Sequence, residues 1–117
     1  MTDQPYPNPI VPAALHGAVK EAYWNEALTS VNDHEIRMSV MTQPFGWHVH
    51  PDSDETFLVL EGQIAITLEH AEVILAPGEI FTVPRGTLHK TRPCGERSVN
   101  LTFERANAPT VFTTPNN

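Results

Sequence analysis

A chain of 117 residues with 40% apolar and 18% charged residues builds one modest core, and fits neither a second domain nor wholesale disorder. Seven Lys plus Arg against fourteen Asp plus Glu give a formal charge of −7, which argues against nucleic acid or an anionic membrane as the main partner. The lone cysteine, Cys94, excludes an intrachain disulfide, and no apolar run approaches the roughly 18 residues that span a bilayer. The opening MTDQPYPNPI has neither the basic start nor the apolar stretch of a signal peptide, so a soluble cytoplasmic protein is expected.

Pro5, Pro7, Pro9 and Pro12 crowd the start, which predicts an extended N-terminal arm over 1–12. From Ala13 to Leu28 the apolar positions Leu15, Val19, Ala22 and Tyr23, with Trp24 alongside, have the spacing of a short helix with one sticky face. Asn32-Asp33 reads as a turn. Short strands then follow: Glu35–Met41, Trp47–His50, Thr56–Leu60, Gln63–Leu68, Ala71–Leu75, Ile80–Val83, Leu88–Arg92 and Ser98–Glu104. Between them, Pro77-Gly78 has the signature of a type II turn, with Pro fixing φ and Gly accepting a positive φ. Many short strands with no long helix between them predict an antiparallel sandwich or barrel. One domain over 13–104, leading helix included, is expected. The tail over 105–117 reads as a surface strand or a loose end.

The stretch WHVHPDSDETFLVLEG, residues 47–62, carries the chemistry. On a strand, residues two apart point to the same face, so His48 and His50 set two imidazoles side by side. The polar turn Pro51–Asp54 then brings Glu55 in at the start of the next strand, beside the histidine pair. Two imidazoles and a carboxylate converging from neighbouring strands are what a divalent metal needs. In PGEIFTVPRGTLHKTRP, residues 77–93, two turns deliver His89 as a third nitrogen. Four such ligands leave one or two positions open on a five- or six-coordinate ion, the mark of a catalytic or ligand-binding metal.

In these stretches the chain resembles the cupin superfamily. His48, His50, Glu55 and Gly62 match the first cupin motif, and Gly78, Pro84, Gly86 and His89 match the second. Thr42 stands where a glycine usually opens the first motif, and Pro93 where an asparagine often closes the second; neither is a ligand position. The stretches SVNDHEIR and DETFLVLEG are similar to the small single-domain cupins of the mannose-6-phosphate isomerase-like kind. The resemblance implies an all-β, antiparallel jelly-roll barrel holding one divalent metal near one end through His48, His50, Glu55 and His89. Fe, Mn, Ni, Co or Zn suits mixed nitrogen and oxygen ligation. It also implies a homodimer and a small-molecule ligand. Cupins include isomerases, dioxygenases, decarboxylases and non-enzymatic binders, so the expected function is a metal-dependent enzyme acting on a small oxygen-rich molecule, or alternatively a non-catalytic metal-dependent binding or auxiliary protein.

The remaining candidates read as structural. His16, His34 and His70 fall in the helix, a turn and a hairpin tip, where surface placement is expected. Asp52 and Asp54 read as turn residues, Cys94 as incidental, and Phe57 and Phe81 as core. Trp47 alternates away from His48, and Arg85 lies at a rim. In Ser98–Glu104 the apolar residues Val99, Leu101 and Phe103 alternate with Ser98, Asn100 and Thr102, and either face fits the barrel interior.

Overall fold

The computed structural model describes residues 8–116, so residues 1–7 of the expected arm lie outside the described residues. A short helix, α1 (Pro12–His16), leads into β1 (Tyr23–Val31), β2 (His34–Met41), β3 (Phe45–Val49), β4 (Glu55–Glu61) and β5 (Ile64–Leu68). Then come β6 (Glu72–Leu75), β7 (Ile80–Val83), β8 (His89–Pro93), β9 (Ser98–Arg105) and β10 (Val111–Phe112). Each strand read from the sequence forms within a residue or two of its expected bounds. Two antiparallel sheets result, in the orders β1-β2-β9-β4-β7 and β10-β3-β8-β5-β6. They face each other as an antiparallel jelly roll, as expected.

The helix is much shorter than the spacing over 13–28 predicts. It stops at His16, and Tyr23–Val31 instead runs as an edge strand along β2, with Trp24 opposite Val40 and Glu26 opposite Met38. The β2 edge offers a full ladder of backbone partners, and the β-favouring Tyr23, Trp24, Thr29 and Val31 suit it better than a helix does. Near the other end, Val111 and Phe112 pair with Val49 and His48, so this part of the tail extends the second sheet.

Two apolar clusters hold the fold. Between the sheets lie Met41, Phe57, Val59, Ile64, Ile66, Leu75 and Val83, all buried. On the outer face of the first sheet lie Met38, Val40 and Val99, covered by Val19, Trp24, Leu28, Leu60 and Leu101. This double coverage settles the β9 ambiguity. Val99 and Leu101 face the outer cluster, while Ser98, Asn100 and Thr102 turn inward. Asn100 is fully buried and donates to the Ser39 and Ser98 hydroxyls at 3.4 and 3.3 Å. The inner wall of β2 and β9 is therefore polar, and a cavity of about 420 Å³ opens in front of it.

Candidate functional site

His48 and His50 come from β3 and its last step, and both side chains turn inward. The Pro51–Asp54 turn then carries the chain across to the facing sheet. Glu55 therefore arrives opposite the histidine pair, at the start of β4, rather than from a neighbouring strand as the sequence suggested. The crossing is stitched in place. The Asp54 carboxylate accepts from the Arg85 amide at 2.8 Å, Ser53 Oγ accepts from the Arg105 amide at 2.9 Å, and the Gly86 amide donates to the His50 carbonyl at 2.9 Å. The two motif turns thus lock each other. His89 opens β8 directly opposite His48 in the ladder.

These four side chains meet. His48, His50, Glu55 and His89 are 3%, 7%, 8% and 0% exposed, and one nitrogen or oxygen from each lies within 4.8 Å of the others. The far nitrogen of each ring is tied to a backbone carbonyl: His48 Nδ1 to Gly46 at 2.7 Å, His89 Nδ1 to Thr87 at 2.8 Å, and His50 Nδ1 to Pro109 at 3.3 Å. A ring that donates from Nδ1 presents the Nε2 lone pair to the centre. Glu55 Oε1 lies 3.2 Å from both His50 Nε2 and His89 Nε2. Among the described residues His50 Nε2 makes no hydrogen bond; the Glu55 oxygen is close but out of line. A buried donor set with an unsatisfied nitrogen fits a metal ion.

Titration follows from the surroundings. Burial pulls the His48 ring down to about 4, so it is neutral at pH 7. Burial pushes His50 down as well, but the Glu55 carboxylate outweighs it and holds the ring above its ordinary 6.5. Burial would raise Glu55, yet the His50 and His89 rings overcome it and hold the carboxyl at about 2. Burial, with Glu55 nearby, lifts Glu104 to about 7.

The cavity beside this cluster is lined by residues that motif reading missed: Asn25, Glu35, Arg37 and Glu104 on the polar side, and Tyr23 and Phe45 at the aromatic side. Apart from Phe45, which opens β3, their only signal was alternation within β1, β2 and β9, which becomes informative once the register is known. The C-terminal segment adds Asn107, Ala108 and Thr110 to the wall. Phe112 packs on Phe45 with ring centroids 5.4 Å apart.

The other candidates stay out of the site. His34 is beside Asp33 at 2.8 Å, and His70 is exposed at its hairpin tip. His16 departs from surface placement: it is half-buried and takes Arg97 Nη2 on its ring nitrogen and on its carbonyl, both at 2.9 Å. Trp47 turns outward under the Lys90 ammonium at 4.9 Å. Arg85 is exposed and does not line the cavity, Asp52 and Asp54 lie in their turn, and Cys94 sits half-buried in its loop. Phe57 and Phe81 belong to the core between the sheets.

Comparison with known proteins agrees with this arrangement. Residues 29–103 match the cupin domain family, Cupin_2. The chain is 42% identical over 100 residues to the uncharacterized protein YdbB of Bacillus subtilis (strain 168), covering 85% of this chain and 88% of that one. It is 37% identical over 54 residues to the quercetin 2,3-dioxygenase of the same organism, covering 46% of this chain but 16% of the dioxygenase. The crystal structure of a cupin-2 domain containing protein from Shewanella frigidimarina NCIMB 400 superposes with a TM-score of 0.76 at 25% identity, over 82% of this chain and 93% of that one. Sequence match, fold and buried cluster all lead to one assignment: the chain belongs to the cupin domain family.

Proposed function

We propose that this cupin is a metal-dependent enzyme that holds one divalent ion through His48, His50, Glu55 and His89 and acts on a small oxygen-rich molecule. One observation carries the reading: three rings are pinned at Nδ1 and, with Glu55, bring one donor atom each within 4.8 Å of the others, beside a cavity of about 420 Å³. Four protein donors leave coordination room for a substrate oxygen. The mixed donor set suits Fe, Mn, Ni, Co or Zn. Such an ion supplies Lewis acidity or, as iron, oxygen activation. The protein's part is to orient and to exclude water. Gly46, Thr87 and Pro109 carbonyls fix the rings, Glu55 serves as a ligand and not as a free base, and Met41, Phe57 and Ile64 line the cavity with apolar surface. Among isomerase, dioxygenase and decarboxylase chemistry, the likeness to a quercetin 2,3-dioxygenase favours the oxygenase. We take residues 13–104 as the working unit, with Asn107, Ala108 and Thr110 of the tail lining its cavity, in a cytoplasmic homodimer. No helix among the described residues is long and apolar enough to cross a membrane.

Elemental analysis of protein purified without added metal or a histidine tag, beside the His50→Ala variant, tests the site. One equivalent of Fe or Mn in the wild type, lost in the variant, supports it. Oxygen uptake with a panel of diketones and hydroxyketones then tests the reaction. Activity that survives both chelation and His48→Ala refutes the metal mechanism. Ligand-induced stabilisation without turnover marks a non-catalytic binding protein instead. A monomeric mass by light scattering at micromolar concentration contradicts the dimer.

A further inference from the structure

The inner face of the first sheet carries a row of charge that the ligand set does not explain. β2, β9 and β4 are neighbours. Glu35 pairs with Glu104, and Thr56 pairs with Phe103, so continuing that register sets Glu55 beside Glu104. Three carboxyls stand side by side across three strands, an arrangement that repels unless each is compensated. Two of them are. Glu35 receives Arg37 Nη1 at 2.8 Å, and Glu55 has His50 and His89 at 3.2 Å each. Glu104, the middle one, is partly buried and forms no ion pair among the described residues; it takes a long 3.5 Å hydrogen bond from the Thr102 hydroxyl. Its carboxyl borders the same cavity as the buried His50 Nε2, which makes no hydrogen bond among the described residues.

The one guanidinium on the cavity wall is already engaged. Arg37 donates from Nε to Asn25 Oδ1 at 2.6 Å, from Nη1 to Glu35, and from Nη2 to the Asn25 carbonyl at 3.5 Å. No lysine lines the cavity among the described residues. Away from the His/Glu cluster, a phosphate or a second carboxylate finds no free side-chain cation among the described residues and faces Glu104. A hydroxyl finds an acceptor there. The cavity wall also offers an aromatic surface, with Tyr23 stacked on Phe45 at 5.1 Å and 28°.

We infer that the cavity selects an uncharged hydroxyl-bearing carbonyl compound, one oxygen facing the His/Glu cluster and an adjacent hydroxyl donating to Glu104, and that it rejects anionic analogues. The inference deepens the proposed function and rests on it for the placement of the first oxygen.

Three probes share one aromatic skeleton: 2-hydroxyacetophenone, acetophenone, which lacks the hydroxyl, and phenylglyoxylate, which replaces the hydroxymethyl by a carboxylate. Each is titrated calorimetrically into full-length wild type and Glu104→Gln, in metal-loaded and chelated form, with metal content measured on every sample. The expected wild-type order puts the hydroxyketone on the order of tenfold tighter than acetophenone, the worth of one well-made hydrogen bond, and tighter than the keto acid. Glu104→Gln should weaken the hydroxyketone and strengthen the keto acid, so that their ratio collapses. A wild type that binds the keto acid at least as tightly, or binds no hydroxyketone in either form, overturns the inference without any variant. An unchanged ratio in Glu104→Gln overturns it as well. A protein that takes up no metal yet keeps the Glu104-dependent preference loses the metal reading and retains this one.

Discussion

Gly62 follows β4 at φ +71°, and a Cβ built there runs into the Arg97 carbonyl oxygen, 3.2 Å from that carbonyl's carbon and 3.3 Å from Ser98 Cα. Gly62→Ala therefore does two things. It places an alanine in the left-handed region, costing about 1–2 kcal/mol. It also forces two backbones apart, an overpacking cost of about 1–3 kcal/mol. The Arg97 side cannot yield easily. Its guanidinium is held by His16 at 2.9 Å and by Glu61 at 3.1 Å, and Ser98 is fully buried. The sum, about 2–5 kcal/mol, is a large share of a typical stability of roughly 5–15 kcal/mol. For a domain of this size it lowers Tm by about 10–20 °C. Gly78 is the matched control: its φ is +86°, but a Cβ there meets nothing within 4 Å, so Gly78→Ala carries the strain without the collision. Its Tm should fall by about 5 °C. Thermal melts followed by circular dichroism compare the three proteins. If Gly62→Ala melts no lower than Gly78→Ala, the close approach is not what requires glycine there.

His48→Ala and His89→Ala should each abolish stoichiometric metal in protein purified without supplementation, and elemental analysis reads this directly; a full equivalent in either removes that residue from the ligand set. Deleting residues 107–117 takes away the Pro109 carbonyl that holds His50 Nδ1 at 3.3 Å, and should weaken metal binding by about 10–100-fold while leaving the barrel folded. Competition against a chromophoric chelator measures that loss, and an unchanged affinity refutes the orienting role. In chelated protein, Glu104 titrates at about 7 against an ordinary 4.5. Between those values the folded state keeps a proton that the unfolded chain has released, so stability falls as pH rises through that window. Tm in chelator should therefore drop from about pH 5 to about pH 8, and Glu104→Gln should flatten the drop; identical slopes in the two proteins would show that another group is responsible.

The convergence of His48, His50, Glu55 and His89 was legible because both motifs are local. His48 and His50 share a face by strand alternation alone, and turns at fixed offsets deliver Glu55 and His89. Eight strands were readable from β-rich runs bounded by Gly and Pro. The first strand was not. Leu15, Val19, Ala22 and Tyr23 mimic a helical stripe, and what decides Tyr23–Val31 is a ladder to β2 that no local pattern contains. The cavity wall was hidden for a related reason. Alternation assigns an interior face only when the other face is wet, and in β9 both Val99 and Asn100 are fully buried. Glu35 and Glu104 became visible as Glu55's neighbours only through cross-strand register, which joins positions far apart in the chain.

That same strand bears on how the protein is made. β9 is the middle strand of its sheet, paired with β2 on one side and β4 on the other. Both partners are synthesised well before it. As the chain leaves the ribosome, the β1–β2 hairpin and β4 each present an unpaired edge, and Met38 and Val40 wait for Val99 to cover them. No stable half of the sheet exists until residue 105 has emerged, because the central strand closes two long loops at once. Nascent chains stalled between β8 and β9 are therefore the species most exposed to misassociation, although they already contain every residue of the buried His/Glu cluster.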